Sequence, residues 1–167
     1  MSFTPANRND AVLFRSANGH LFEMTPVGYQ FADITCDSDA NWLQIWFHAV
    51  SEEGSWSTTD PSLLTSELHD LGEWLRQLGR GEPTAPRIGF LEPNLSFECA
   101  AEEGERVQLR IHFECEARPG WRVAARAGRR DCWLDLDVER DQCMQAATAI
   151  DRQLARWPVR ESRTAKD

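Results

Sequence analysis

The sequence lacks any apolar run long enough to span a bilayer. Its longest apolar-rich stretch, residues 42–50, is interrupted by Gln44 and His48, whereas a spanning helix needs about 20 consecutive apolar residues. The first ten residues, MSFTPANRND, carry no apolar segment behind a basic start, so no secretion signal is expected. The five cysteines (36, 99, 115, 132 and 143) are an odd set without a CxxC spacing. In that context they read as reduced thiols, and the closely spaced Cys/His pairs that hold zinc are missing. A cytoplasmic location follows. A GxSxG nucleophile elbow is also missing, as is a Gly-rich phosphate loop; Gly79 and Gly81 follow a helical pattern, where capping accounts for them. No repeat or low-complexity segment is present. Bases are scarce at one end: residues 1–75 hold 11 acids against Arg8 and Arg15 alone.

What is present describes an ordinary folded chain. Of 167 residues, 41% are hydrophobic and 27% charged, with seven Trp and eight Phe. That is material for one core and one domain over residues 1–167, with loose tails at 1–10 and 161–167. The formal charge is -9, and all of it lies before residue 76, because residues 76–167 hold 16 acids and 16 bases. So acidic a chain is a poor general ligand for nucleic acid, where phosphate contacts dominate affinity.

Period-2 and period-3.6 patterns divide the chain. Residues 21–31 alternate, with Pro26 and Gly28 marking a break or bulge. Residues 41–52 carry large side chains on both faces, Leu43, Ile45, Phe47 and Ala49 on one and Trp42, Gln44, Trp46 and His48 on the other, as in a covered central strand. Glu53 and Gly54 turn the chain into a partner strand that Asp60–Pro61 is expected to end. Thr65 is the expected cap of a helix whose stripe is Leu64, Leu68, Leu71, Leu75 and Leu78. Gly72 lies beside that stripe, at a cost of about 1 kcal/mol unless close packing requires it. Strands follow at 87–92, 95–100, 107–116 and 132–138, and a final helix at about 140–157 is ended by Pro158. The class is α+β: an antiparallel sheet meander with two amphipathic helices packed against it.

Several clusters could carry chemistry. Arg110, His112, Glu114 and Glu116 share a strand face, as a metal or acid–base site would require, but a solvated face laced with cross-strand ion pairs explains them better. Asp135 and Asp137 alternate in the same way and supply too few oxygens for a calcium loop. His48 reads as a hydrogen-bonded sheet histidine and Ser55 as a turn residue. Arg118, Arg122, Arg126, Arg129 and Arg130 fall in thirteen residues without an acid. They read as a phosphate or RNA contact or, better, as a solvated loop balancing the acidic half.

Six segments in a fixed order carry a resemblance: DANWL from residue 39, GSWS from 54, DPSLLTSEL from 60, FLEPNLSF from 90, WLDLDV from 133 and RWPVR from 156. Over roughly residues 20–160 the chain resembles the WapI-like bacterial immunity proteins. These are turns, caps and core aromatics, so they speak to fold more than to activity. Residues 118–130 match none of them and form a basic loop or an insertion. The resemblance implies a small cytoplasmic protein that protects a cell from the C-terminal domain of a large WapA-type polymorphic toxin. The expected function is then stoichiometric binding of that domain, a basic nuclease, with no catalytic residue, cofactor or metal. Candidate contacts are Asp37, Asp39, Glu52, Glu53 and Asp60, with Trp56 as an exposed aromatic anchor. The partner is a protein, with neither nucleic acid nor membrane bound directly. Two alternatives stand beside it: a small-ligand binder or hydrolase using a sheet face that carries His48 and His112, and a structural protein.

Overall fold

In the computed structural model, residues 10–34, 38–123 and 132–160 are described. The hairpin expected around Glu53–Gly54 is its longest strand pair. Strand β3 (Trp42–Ser51) and β4 (Gly54–Leu64) run in register from Trp42 opposite Leu64 to Ser51 opposite Gly54. Gly54 takes φ +147°, a conformation that L side chains rarely adopt, so glycine is needed at that turn. Strand β4 does not end at Asp60–Pro61 but continues to Leu64. It is an edge strand, where proline is tolerated, and the β3–β4 register shifts between Leu43 and Gln44, opposite Leu63 and Pro61.

Strand β2 (Leu21–Tyr29) pairs with the other side of β3 and bulges between Pro26 and Gly28, as the sequence pattern implies. A further strand, β1 (Val12–Arg15), precedes it and completes a four-stranded antiparallel sheet in chain order. Four residues are too few to show alternation, which is why the sequence pattern misses β1. A second antiparallel sheet, also in chain order, holds β5 (Arg87–Gly89), β6 (Leu95–Glu103), β7 (Arg106–Phe113) and β8 (Trp133–Glu139). The α+β class and the meander order hold, with the strands divided between two sheets. A helical turn, α2 (Gly120–Val123), lies in the region expected to be irregular.

The two inner faces meet through aromatic rings. Phe22 and Phe47 of the first sheet lie 6.0 and 5.4 Å from Phe113 of the second, and Phe22 meets Phe97 edge-on at 5.8 Å. Edges also meet: Ser16 Oγ accepts the Asp137 N–H (3.2 Å), and His20 Nδ1 lies 2.8 Å from the Asp135 carbonyl. One hydrophobic cluster joins both sheets and both long helices.

Helix α1 (Thr65–Arg80) starts one residue earlier than a Thr65 cap implies. Leu64 occupies the cap position, and its N–H donates to Glu67 (2.9 Å). The other Glu67 oxygen accepts the Leu91 N–H (2.7 Å), so one carboxylate ties the helix start to the β5–β6 loop. Thr65 instead donates its hydroxyl to the Asn41 carbonyl (3.2 Å). Gly81, at φ 67°, closes the helix. Helix α3 (Arg140–Arg156) lies against α1, and two glycines set their approach. A Cβ on Gly72 would stand 2.9 Å from Ile150 Cγ2. One on Gly79 would stand 2.5 Å from Met144 Cγ and 3.1 Å from the Met144 backbone nitrogen. Gly72 is therefore required by close packing. Among the described residues no helix is long and apolar enough to cross a membrane.

Two stability predictions follow from this packing. Gly72→Ala gains about 1 kcal/mol of helix propensity but forces a β-branched side chain aside, at about 1–3 kcal/mol. The expected net result is a lower urea midpoint for Gly72→Ala and a larger drop for Gly79→Ala, where backbone also obstructs; unchanged midpoints would refute the close-packing account. Burial pushes the Cys143 thiol up from 9.0 to about 12. Between those values the unfolded chain loses the proton and the folded chain keeps it, so stability falls as pH rises, by about 1.4 kcal/mol per unit. Urea titrations from pH 8 to 11 should show a shallower decline for Cys143→Ala than for the parent.

Candidate partner-binding face

Alternation along β4 places Trp56, Thr58 and Asp60 on one side, opposite Ala49, Phe47 and Ile45 of β3. That is the core side of the sheet, and β4 is its outermost strand. The chain leaving β7 crosses this margin. Glu114 N–H donates to the Asn94 carbonyl (3.0 Å), Cys115 turns the backbone at φ 50°, and residues 115–117 form a single 3-10 turn. The Trp56 indole N–H donates to the Ala117 carbonyl at 3.0 Å. Beyond it α2 lays the Trp121 ring over Gly54, where an added Cβ would stand 3.2 Å from it, and edge-on to Trp56 at 5.8 Å.

The crossing segment has a concavity on each side. The first, of about 500 Å³, is lined by Trp56, Trp121 and Trp133 with His20, Glu52, Glu53 and Asp135. Residues 124–131, between Trp121 and Trp133 in the sequence, lie outside the described residues. The second, of about 420 Å³, is lined by Asp39, Asp60, Glu92 and Glu116, with Phe31 and Trp42 among its walls and no base among the described residues. None of these four carboxylates, nor Glu52, forms an ion pair among the described residues.

The candidate contacts thus fall into two groups. Asp39 and Asp60 share the acidic hollow, where Asp60 accepts the Thr58 hydroxyl at 2.5 Å. Glu52 and Glu53 are exposed at the hairpin tip beside the tryptophan cleft, and Glu53 accepts the Trp121 indole N–H at 3.2 Å. Asp37 lies outside the described residues. Trp56 is half-buried and not exposed: its N–H is engaged and its ring packs edge-on against Phe113 at 5.0 Å. Among the described residues the exposed aromatics are Trp121 and Trp133, each 43% accessible, and Phe31 at 38%. Trp133 was legible as a solvent-side strand position. Trp121 carries no period or motif that marks it, whereas Glu116 reads with the 110–116 strand face and Glu92 lies in the FLEPNLSF segment, neither as a partner contact.

The charged face of the second sheet is internally matched. Arg110 forks onto Asp135 (2.7 and 3.1 Å), and Arg106 reaches Asp137 at 2.6 Å. The hydrogen bond to Asp135 raises the Arg110 pKa above its ordinary value against the opposing effect of burial. His112 Nε2 lies 2.7 Å from Glu98, and His48 Nδ1 lies 2.8 Å from Ser57 Oγ. These are the cross-strand pairs and the sheet histidine expected from alternation. His48 and His112 belong to different sheets, so the face they were to share does not exist, and neither lines the two concavities. Among the described residues no group of three or more His, Cys, Asp or Glu could hold a metal ion. Of the arginine-rich stretch, Arg126, Arg129 and Arg130 lie outside the described residues.

Comparison with curated proteins returned no match, and neither did comparison with solved structures. A family model does match, from within β1 to just past the end of α3: it is described as the immunity protein WapI-like family and covers residues 13–158 of 167, and the chain belongs to that family.

Proposed function

We propose that the chain is a stoichiometric, non-catalytic inhibitor that binds and neutralises the C-terminal domain of a cognate bacterial polymorphic toxin in the cytoplasm. The toxin domain is a basic nuclease, and the binding surface is the acidic margin of β4. One observation carries the surface assignment: Asp39, Asp60, Glu92, Glu116 and Glu52 gather around the crossing segment without a cation among the described residues. Several acids elsewhere are matched with arginines, as in Arg76–Asp151, Arg140–Glu102 and Arg110–Asp135. The family membership supports an immunity role.

The physics of such a surface favours a basic protein. A nuclease cleft concentrates positive charge to hold phosphates, and an acidic surface of opposite sign attracts it. Unpaired carboxylates raise the encounter rate, up to about 10⁸–10⁹ M⁻¹s⁻¹ at low salt, more than they lengthen the complex's life. Nucleic acid is repelled by the same field, so the inhibitor does not compete with its partner for substrate.

Co-expression with the toxin domain encoded beside the gene should restore growth and yield a one-to-one complex on size-exclusion chromatography. Absence of both would overturn the inhibitor reading. In stopped-flow association, the triple variant Asp39→Asn, Glu92→Gln, Glu116→Gln should lose roughly tenfold in on-rate at low salt and show a flatter salt dependence. An unchanged, salt-insensitive on-rate would move the interface to another face.

A further inference from the structure

We infer that the cleft between Trp121 and Trp133 is an arginine-receiving slot, taking one guanidinium group of the bound protein. The inference rests on the inhibitor reading for its partner and on the cleft alone for its chemistry. The walls are aromatic: Trp121 and Trp133 are both 43% exposed, whereas Phe22, Phe47, Phe97 and Phe113 of the sheet junction are buried. A cation over an indole face is attracted by the ring quadrupole.

The charge at the mouth selects the sign of the occupant. Glu52 is exposed at the rim, and among the described residues the lining side chains include no Arg or Lys. Glu53 holds the Trp121 ring through its indole N–H (3.2 Å), which fixes the orientation of that wall. Glu52 makes no ion pair among the described residues and can fork onto an incoming donor. Asp135, the third carboxylate of the lining, is already held by Arg110.

The shape of the site then selects arginine over lysine. A guanidinium is planar and weakly hydrated, so it stacks on indole while its edge forks onto a carboxylate; an ammonium does one or the other. The same pairing occurs within the chain at this spot, where the Arg110 guanidinium lies 4.6 Å from the Trp133 ring centroid while forking onto Asp135. The cleft therefore repeats, for a partner's arginine, an arrangement that the neighbouring strand already makes for its own.

The test has two arms. In the first, N-acetyl-arginine amide is titrated into the ¹⁵N-labelled protein and compared with N-acetyl-lysine amide. The indole N–H resonances of Trp121 and Trp133 should shift, with the lysine compound at least about fivefold weaker and the shift lost in Glu52→Gln. In the second, the toxin complex of Glu52→Gln and of Trp121→Ala should dissociate at least about tenfold faster than the parent. Glu52 is exposed, so its variant keeps the result interpretable if Trp121→Ala fails to fold. A complex that forms normally with both variants overturns the slot and leaves the inhibitor reading intact. Should no complex form at all, the inhibitor reading fails, and the first arm still decides the slot. If arginine amide moves these indoles only after Arg126→Ser, Arg129→Ser and Arg130→Ser are introduced, the occupant is this chain's own segment and the proposal is overturned.

Discussion

The position of Phe113 is the constraint on which the rest of the molecule depends. It ends β7 and touches three rings of the other sheet: Phe22, Phe47 and Trp56, at 6.0, 5.4 and 5.0 Å. Each sheet alone would leave one apolar face in water; the aromatic junction buries both at once. The same residue sets where the chain leaves the second sheet. From Phe113 the backbone continues over Trp56, and that path makes the crossing segment, the two concavities and the seating of Trp121. The candidate interface is thus a by-product of how the two sheets are joined.

The helix pair solves a different problem. Among the described residues two long helices share a core with eight strands, and the close approach at Gly72 and Gly79 lets both contribute their apolar stripes. The stripe of α1 is leucine-rich, while α3 buries mostly small residues, Cys143, Ala146, Ala147 and Ala149. Small against large permits the short distance, and Arg76 bridging to Asp151 closes the wet side of the pair.

Much of this was legible in the sequence, for local reasons. Alternation gave the faces of β3, β7 and β8, and the leucine stripe gave α1, because those signals repeat every two or three to four residues. What was illegible is non-local. A period says which side chains share a face but not which sheet a strand joins, so the division into two sheets, and with it the separation of His48 from His112, could not be read. Trp56 illustrates the same limit at the site. Its position opposite Ser55 and Ser57 was legible, but a segment sixty residues later covers it and exposes Trp121 in its place. Asp60–Pro61 misled for the opposite reason: a breaker signal is strong in isolation and harmless on an edge strand.

The two ways in which this chain uses charge bear on how an interface of this kind works. An acid already bridged to an arginine presents a dipole, whose field dies away within a few ångströms. The Arg106 and Arg110 pairs on the second sheet are of this sort and contribute little at a distance. An unpaired carboxylate projects its field to about a Debye length, roughly 8 Å at physiological ionic strength, and several together project further into a concave, low-dielectric wall. The acidic hollow is therefore suited to guiding an encounter. It is poorly suited to holding the result, since each contact there remains wet and screened. Residence requires desolvated, shape-defined contacts, and the aromatic cleft on the other side of the crossing segment is where such contacts are geometrically available. Rate and lifetime would then be set by neighbouring but separable parts of one surface, which leaves the first free to vary with salt and the second free to vary with the partner's sequence.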